Sequence, residues 1–348
     1  MVRERHRWHP VCDPPESLVR PVPVDPRGRQ GPTRGQAAGP RWRTSSRGLF
    51  VPSWVDADVP EQRILEQSMR LTGGAVTGWA SCRMHGAAFF DGLRRDGRTP
   101  IPVPLNCGPL HQIHRLPGDD VLRATLNPHE IVEVNGLPCT VVDRATFDAM
   151  RFARSVREAV VAVDMMAAAV LTSVARMGEY VVPHRQAWTG VPQCREALAL
   201  ADEGSRSPQE SRLRLVWMLD AARPRPLVNR PVFDLTGQLL GYPDLLDPEA
   251  GVVGEYDGED HRGAARHSSD VAREARFRDH HLEVFRVTGP DMRDTSLLVD
   301  RIDSAYRRAT RQPPGRRTWT LEPPPWWHPE LSVDEQLARR EPPPTRPR

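Results

Sequence analysis

The sequence predicts an α/β protein in two parts: an α+β N-terminal domain, then a domain whose elements run αβββαβ and close on a further helix. Three observations predict it. Helical apolar spacing and short β-branched runs alternate from Pro60 to Thr310 instead of segregating into blocks. A polar break, Asp202–Ser207 (DEGSRS), separates two such series. The ends differ in composition from the middle: residues 1–47 hold ten arginines against four acids, and residues 307–348 hold nine against five. The net charge of +3 therefore hides an acidic middle between basic ends. A chain of 348 residues, 39% of them hydrophobic, can bury a sizeable core.

Residues 1–40 are rich in Pro, Arg and Gly and read as mostly disordered, with a helical turn at Thr33–Ala38. The first domain spans 41–202. Trp42–Ser45 and Gly48–Pro52 flank Ser46–Arg47 as a small hairpin. Glu61–Leu71 is helical, with Ile64, Leu65 and Leu71 near one face. Thr77 is placed to cap a helix that ends at Gly86. Ile101–Leu105 and Ile131–Val134 read as strands, and Val141–Met150 as a helix. Ser155–Glu158 has the S-x-x-E form of a capping box before the apolar run VVAVDMMAAAVL. Thr172–Val182 and Val191–Asp202 read as two more short helices.

The second domain spans 205–310. An amphipathic helix over Ser207–Ala222 is ended by Pro224 and Pro226. Val232–Leu235 is the first strand, turning at Thr236–Gly237. Leu239–Leu246 and Val252–Asp257 form a hairpin around Asp247–Gly251. A long polar helix over Ala264–His281, a strand over Leu282–Thr288 and a helix over Asp291–Thr310 follow. Residues 311–348 return to a Pro/Arg-rich tail, read as disordered with two anchoring tryptophans.

The hairpin concentrates the chemistry. Folded symmetrically about Glu249–Ala250, it sets Asp244 opposite Glu255, with Asp257 on the same face and His261 just past the strand end. Like charges facing one another destabilise a sheet. A divalent cation would offset them, since hard cations take oxygen ligands; an arginine from elsewhere would do the same. Glu210 stands at the capping-box position of its helix, Ser207-Pro208-Gln209-Glu210. Trp42 between Arg41 and Arg43, with Arg47 close by, suits contact with nucleic acid. On the polar helix, Arg273 and Arg276 are phosphate-contact candidates on a face that also reads as solvated ion pairs. The chain contains no lysine, which excludes every mechanism that requires one. Its five cysteines are scattered without zinc-site spacing, and their odd number suits a reducing compartment. No apolar run is long enough to span a bilayer and the N-terminus lacks a secretory core, so a cytoplasmic protein without membrane partners is expected.

Pro243-Asp244 followed by Glu255-Tyr256-Asp257-Gly258-Glu259-Asp260-His261, in an αβββαβ order over about Ser205–Thr310, resembles the PD-(D/E)XK restriction-endonuclease-like family. The E-x-D-G-x-x-H form is similar to the branch related to very-short-patch mismatch repair endonucleases. The resemblance implies Mg²⁺ (or Mn²⁺) held by Glu210, Asp244 and Glu255. It implies a catalytic set of Asp244, Glu255, Asp257 and His261, in which Asp257 stands where the family usually has lysine and His261 acts as acid/base or orients water. Within residues 47–180, Arg47–Pro52 (RGLFVP), Gly78–Gly86 (GWASCRMHG) and Gly136–Asp148 (GLPCTVVDRATFD) resemble AbiEi-type antitoxin proteins. Together these imply an endonuclease of a bacterial toxin–antitoxin or repair and defence type, acting on nucleic acid, DNA first, with a partner toxin protein. The alternative is an inactive nucleic-acid-binding regulator.

Overall fold

The alternating pattern is realised as an α/β fold with mixed and antiparallel sheets. The computed structural model describes residues 9–13, 17–111, 113, 119–181, 188–258, 273–311 and 317–340. The chain divides into two compact units, Met1–Leu198 and Ala199–Arg348.

In the first unit, β1 (Val22–Pro23), β2 (Trp42–Ser46) and β3 (Leu49–Pro52) form a sheet in the order β1-β3-β2. Helix α1 (Arg34–Ala37) carries a full capping box between Thr33 and Gln36. The described part of 1–40 is thus ordered, against the disorder expected from composition. Part of the reason is local: the Asp25 carboxylate accepts backbone N–H bonds from Arg27, Arg29 and Gln30. These bonds, Gln30's foremost, hold its carboxyl below the usual range.

Next come α2 (Pro60–Ser68), β4 (Ala75–Val76), α3 (Gly78–Met84), β5 (Val103–Asn106), β6 (Asp119–Leu122), β7 (Ile131–Val134) and β8 (Leu137–Thr140). Four helices end the series: α4 (Val142–Arg151), α5 (Val156–Ala168), α6 (Val174–Val181) and α7 (Val191–Leu200). The five-stranded sheet runs β6-β5-β4-β8-β7, and Ile64, Leu65, Val76, Ala80, Met84, Val103 and Leu105 fill the core against it. Thr77 starts α3 but does not cap it with its side chain. Its hydroxyl donates to Asp148 at 2.6 Å. Asp148 belongs to a buried ion network in which Arg144 bridges it (3.0 Å) to Glu130 (3.1 Å), and Arg151 adds a third contact at 2.7 Å.

In the second unit, Ser207 caps α8 (Pro208–Leu215), which continues as one π turn to Asp220. Strands β9 (Leu227–Val228), β10 (Val232–Asp234), β11 (Leu239–Gly241), β12 (Leu245–Asp247) and β13 (Val252–Asp257) follow. Helix α9 is described over 273–279. After it lie β14 (Glu283–Thr288), α10 (Thr295–Arg311), β15 (Trp319–Thr320) and α11 (Val333–Arg340).

The main sheet has the order β14-β13-β12-β9, antiparallel from β9 to β13 and parallel between β13 and β14. Both of its faces are covered. Alternation sends Leu245, Val252, Phe285 and Val287 to one cluster with Leu213, Trp217 and Ile302. It sends Leu246, Val253 and Val284 to the other with Phe277 and Trp319. Two expectations are corrected here. The strand 239–246 is two strands in two sheets, broken at Tyr242-Pro243-Asp244, where the proline has no N–H for a ladder. The expected first strand, β10, does pair across its turn with β11, but in that second sheet, and the neighbour of β12 is the two-residue β9. The tail is also ordered over 317–340: β15 pairs with β10, and Trp327 sits edge-on to Phe233 at 5.0 Å.

Candidate functional site

The hairpin register builds the site. Leu245 pairs with Gly254 and Leu246 with Val253, so one step beyond Leu245 carries Asp244 opposite Glu255. The Asp244 carboxylate accepts the Tyr256 N–H at 2.7 Å, and its carbonyl accepts the Asn229 N–H at 3.2 Å. Asp244 thereby ties the ends of β9 and β13 across the break at Pro243.

Glu210 reaches the same locus from α8. Its N–H bonds the Ser207 hydroxyl (3.2 Å), so the cap position is real. Its buried carboxylate accepts from the Arg206 N–H (2.9 Å) and the Asn229 side-chain amide (2.8 Å). Burial pushes the Glu210 carboxyl up. It pushes Asp244 well above the carboxylate range, and the charges of Glu210 and Glu255 add to this. The three carboxylates therefore share one electrostatic environment, brought together from α8, the start of β12 and β13.

An arginine meets this cluster. The Arg273 guanidinium donates to Glu255 Oε2 at 2.7 Å, and its charge eases the ionisation of Asp244. The Arg273 stem lies against Gly241, where a Cβ would stand 3.1 Å from its Cγ and 3.2 Å from its Cδ. Asp257 lies on the Glu255 face but turns toward Arg286 of β14, at 3.8 Å. Arg286 in turn bonds Glu274 of α9 at 2.7 Å. Exposed Arg276 donates its Nε–H to the Leu240 carbonyl at 3.1 Å. His261 lies outside the described residues, as does 264–272 of the predicted polar helix.

The basic group of the first unit divides. Arg43 is held by Glu66 through two bonds, at 2.8 and 2.6 Å, and by the Val55 carbonyl. Arg43 thereby anchors β2 to α2. Arg41 and Arg47 are exposed and Trp42 is half-buried.

No family model, curated protein or solved structure matches the chain.

Among the described residues, no three His, Cys, Asp or Glu side chains already stand as a ligand shell. The donor chemistry of Glu210, Asp244 and Glu255 nonetheless suits a hard divalent cation: carboxylate oxygens, partly dehydrated, whose mutual repulsion a cation would relieve. Arg273 already performs part of that neutralisation. Sequence reasoning missed Asn229, which joins Glu210 to Asp244. Asn229 has φ +49°, a left-handed conformation that asparagine tolerates, and it follows directly on the short β9.

Proposed function

We propose that the second unit is a Mg²⁺- or Mn²⁺-dependent nucleic-acid phosphodiesterase, an endonuclease of PD-(D/E)XK type that acts on DNA. The observation that carries this reading is the convergence of Glu210, Asp244 and Glu255 where antiparallel β12–β13 adjoins parallel β13–β14. The order α8, β9, β12, β13, α9, β14 around the main sheet supports this reading, although β10 and β11 lie in a separate sheet. Glu210, Asp244 and Glu255 would hold the cation, which supplies Lewis-acid stabilisation of a phosphate when bound. Asp244 positions the site through Tyr256 and Asn229, and Asn229 orients Glu210. Arg41 and Arg47 are proposed contacts to phosphate from the first unit. A partner toxin and a bacterial defence or repair role belong to the same reading. A cytoplasmic setting is supported by five cysteines that are all free. Among the described residues, no helix is long and apolar enough to cross a membrane.

A second reading, an inactive nucleic-acid-binding regulator, is favoured by one observation. Asp257 occupies the family's lysine position and faces Arg286, while Arg273 holds Glu255. A nicking assay on plasmid, single-stranded DNA and RNA, with Mg²⁺ or Mn²⁺ against EDTA, separates the two. Metal-dependent cleavage by wild type, lost in Asp244→Ala and Glu255→Ala, is the expected outcome. Cleavage that persists in both variants removes the assignment, and silence on every substrate transfers the weight to the regulator.

A further inference from the structure

We infer that Arg273 is an exchangeable counter-cation: it occupies Glu255 until a divalent cation arrives, and the released guanidinium then grips the phosphate of a polynucleotide. The inference rests on the phosphodiesterase reading of the carboxylate cluster and adds its regulation.

Four observations carry it. The guanidinium is already at the cluster, 2.7 Å from Glu255 Oε2, so a cation bound by that oxygen must compete with it. The two partners differ in access: the Glu255 side chain is 7% exposed and that of Arg273 is 34% exposed, which lets the arginine swing outward while the carboxylate stays fixed in β13. The stem rests on Gly241, so no side chain at that position blocks its movement. The chain has no lysine to place a positive charge beside a phosphate, and the neighbour of Glu255 on its strand face is the acidic Asp257. A guanidinium released from Glu255 supplies that charge from α9 in a geometry suited to phosphate oxygens.

The exchange makes two measurable demands on the full-length protein. By titration calorimetry, Arg273→Gln binds Mn²⁺ about tenfold more tightly than wild type, the size of one charge-assisted bond that no longer competes. Arg273→Lys, which keeps the charge, returns toward the wild-type value. By fluorescence anisotropy of a labelled oligonucleotide in Ca²⁺, wild type binds several-fold more tightly with the cation than in EDTA, and Arg273→Gln shows no such gain. Glu255→Gln provides a second route that needs no metal, because it frees Arg273 in EDTA and raises oligonucleotide affinity there.

Unchanged Mn²⁺ affinity in Arg273→Gln, with binding still lost in Asp244→Asn, overturns the exchange and leaves the metal site standing. Unchanged oligonucleotide affinity of Glu255→Gln in EDTA overturns it as well. Absence of Mn²⁺ binding in wild type and Arg273→Gln alike removes the phosphodiesterase reading, and the exchange with it.

Discussion

Asp244 does two things that pull against each other. Its carboxylate closes the break after Pro243 by accepting the Tyr256 N–H, yet it does so beside Glu210 and Glu255. Its folded carboxyl ionises above the ordinary value of 3.8, so the folded state holds a proton that the unfolded state has released. Stability then falls as pH rises from that value through the folded one. In EDTA, Asp244→Asn, which keeps the acceptor oxygen, should melt higher than wild type at pH 7, with the gap closing as pH falls toward 3.8. Thermal melts across pH test this; a gap independent of pH would assign the effect to packing instead. The register that creates this proximity was legible in the sequence because the turn is written there. Asp247 accepts the N–H groups of Glu249 and Ala250, and Gly251 takes φ +66°. Arg273 as the partner of Glu255 was not legible, because a helix contact across 18 residues leaves no trace in strand periodicity.

At the scale of elements, legibility followed length. Helices α4 and α5 and strands β7 and β14 fall close to their expected bounds, because several side chains repeat their spacing. Strands β4, β9 and β15, two residues each, carry no period and exist only through their partners. Spacing shows Arg144 and Asp148 at i, i+4 on one helix face, which by default is solvated. The structure buries both, because Glu130 comes from the turn before β7 and Trp188 covers the Arg144 guanidinium at 4.9 Å. The R-A-T-F-D stretch, Arg144–Asp148, thus has a structural use in the first unit. Arg144→Met should cost about 3–5 kcal/mol, since it removes the buried cation that Glu130 and Asp148 share. Urea unfolding measures the loss, and hydrogen exchange should place it in the strands and helices around α4.

Across the whole molecule, each unit has its own apolar clusters, and the charge pattern lies over them. Around the small sheet of the first unit, Arg27, Arg29, Arg34, Arg41 and Arg47 are all exposed, with Asp25 engaged by the backbone. Composition assigned the part of this region within residues 1–40 mostly to disorder. What it lacked was the three-bond Asp25 loop and the pairing of Val22 with Phe50, neither of which has a hydrophobic period. If this surface meets a polynucleotide, affinity falls with salt, and replacing Arg41 and Arg47 by Gln lowers the log–log salt slope by about one each. An unchanged slope would move the contact elsewhere.

A guanidinium keeps its proton at every pH a cell tolerates. On the arginine side the Arg273–Glu255 contact therefore has no acid–base setting, and on the exchange inferred above it yields to rival charge. On that exchange the contact acts as a gauge of free divalent ion, so the chain's grip on its substrate would follow the cell's magnesium supply.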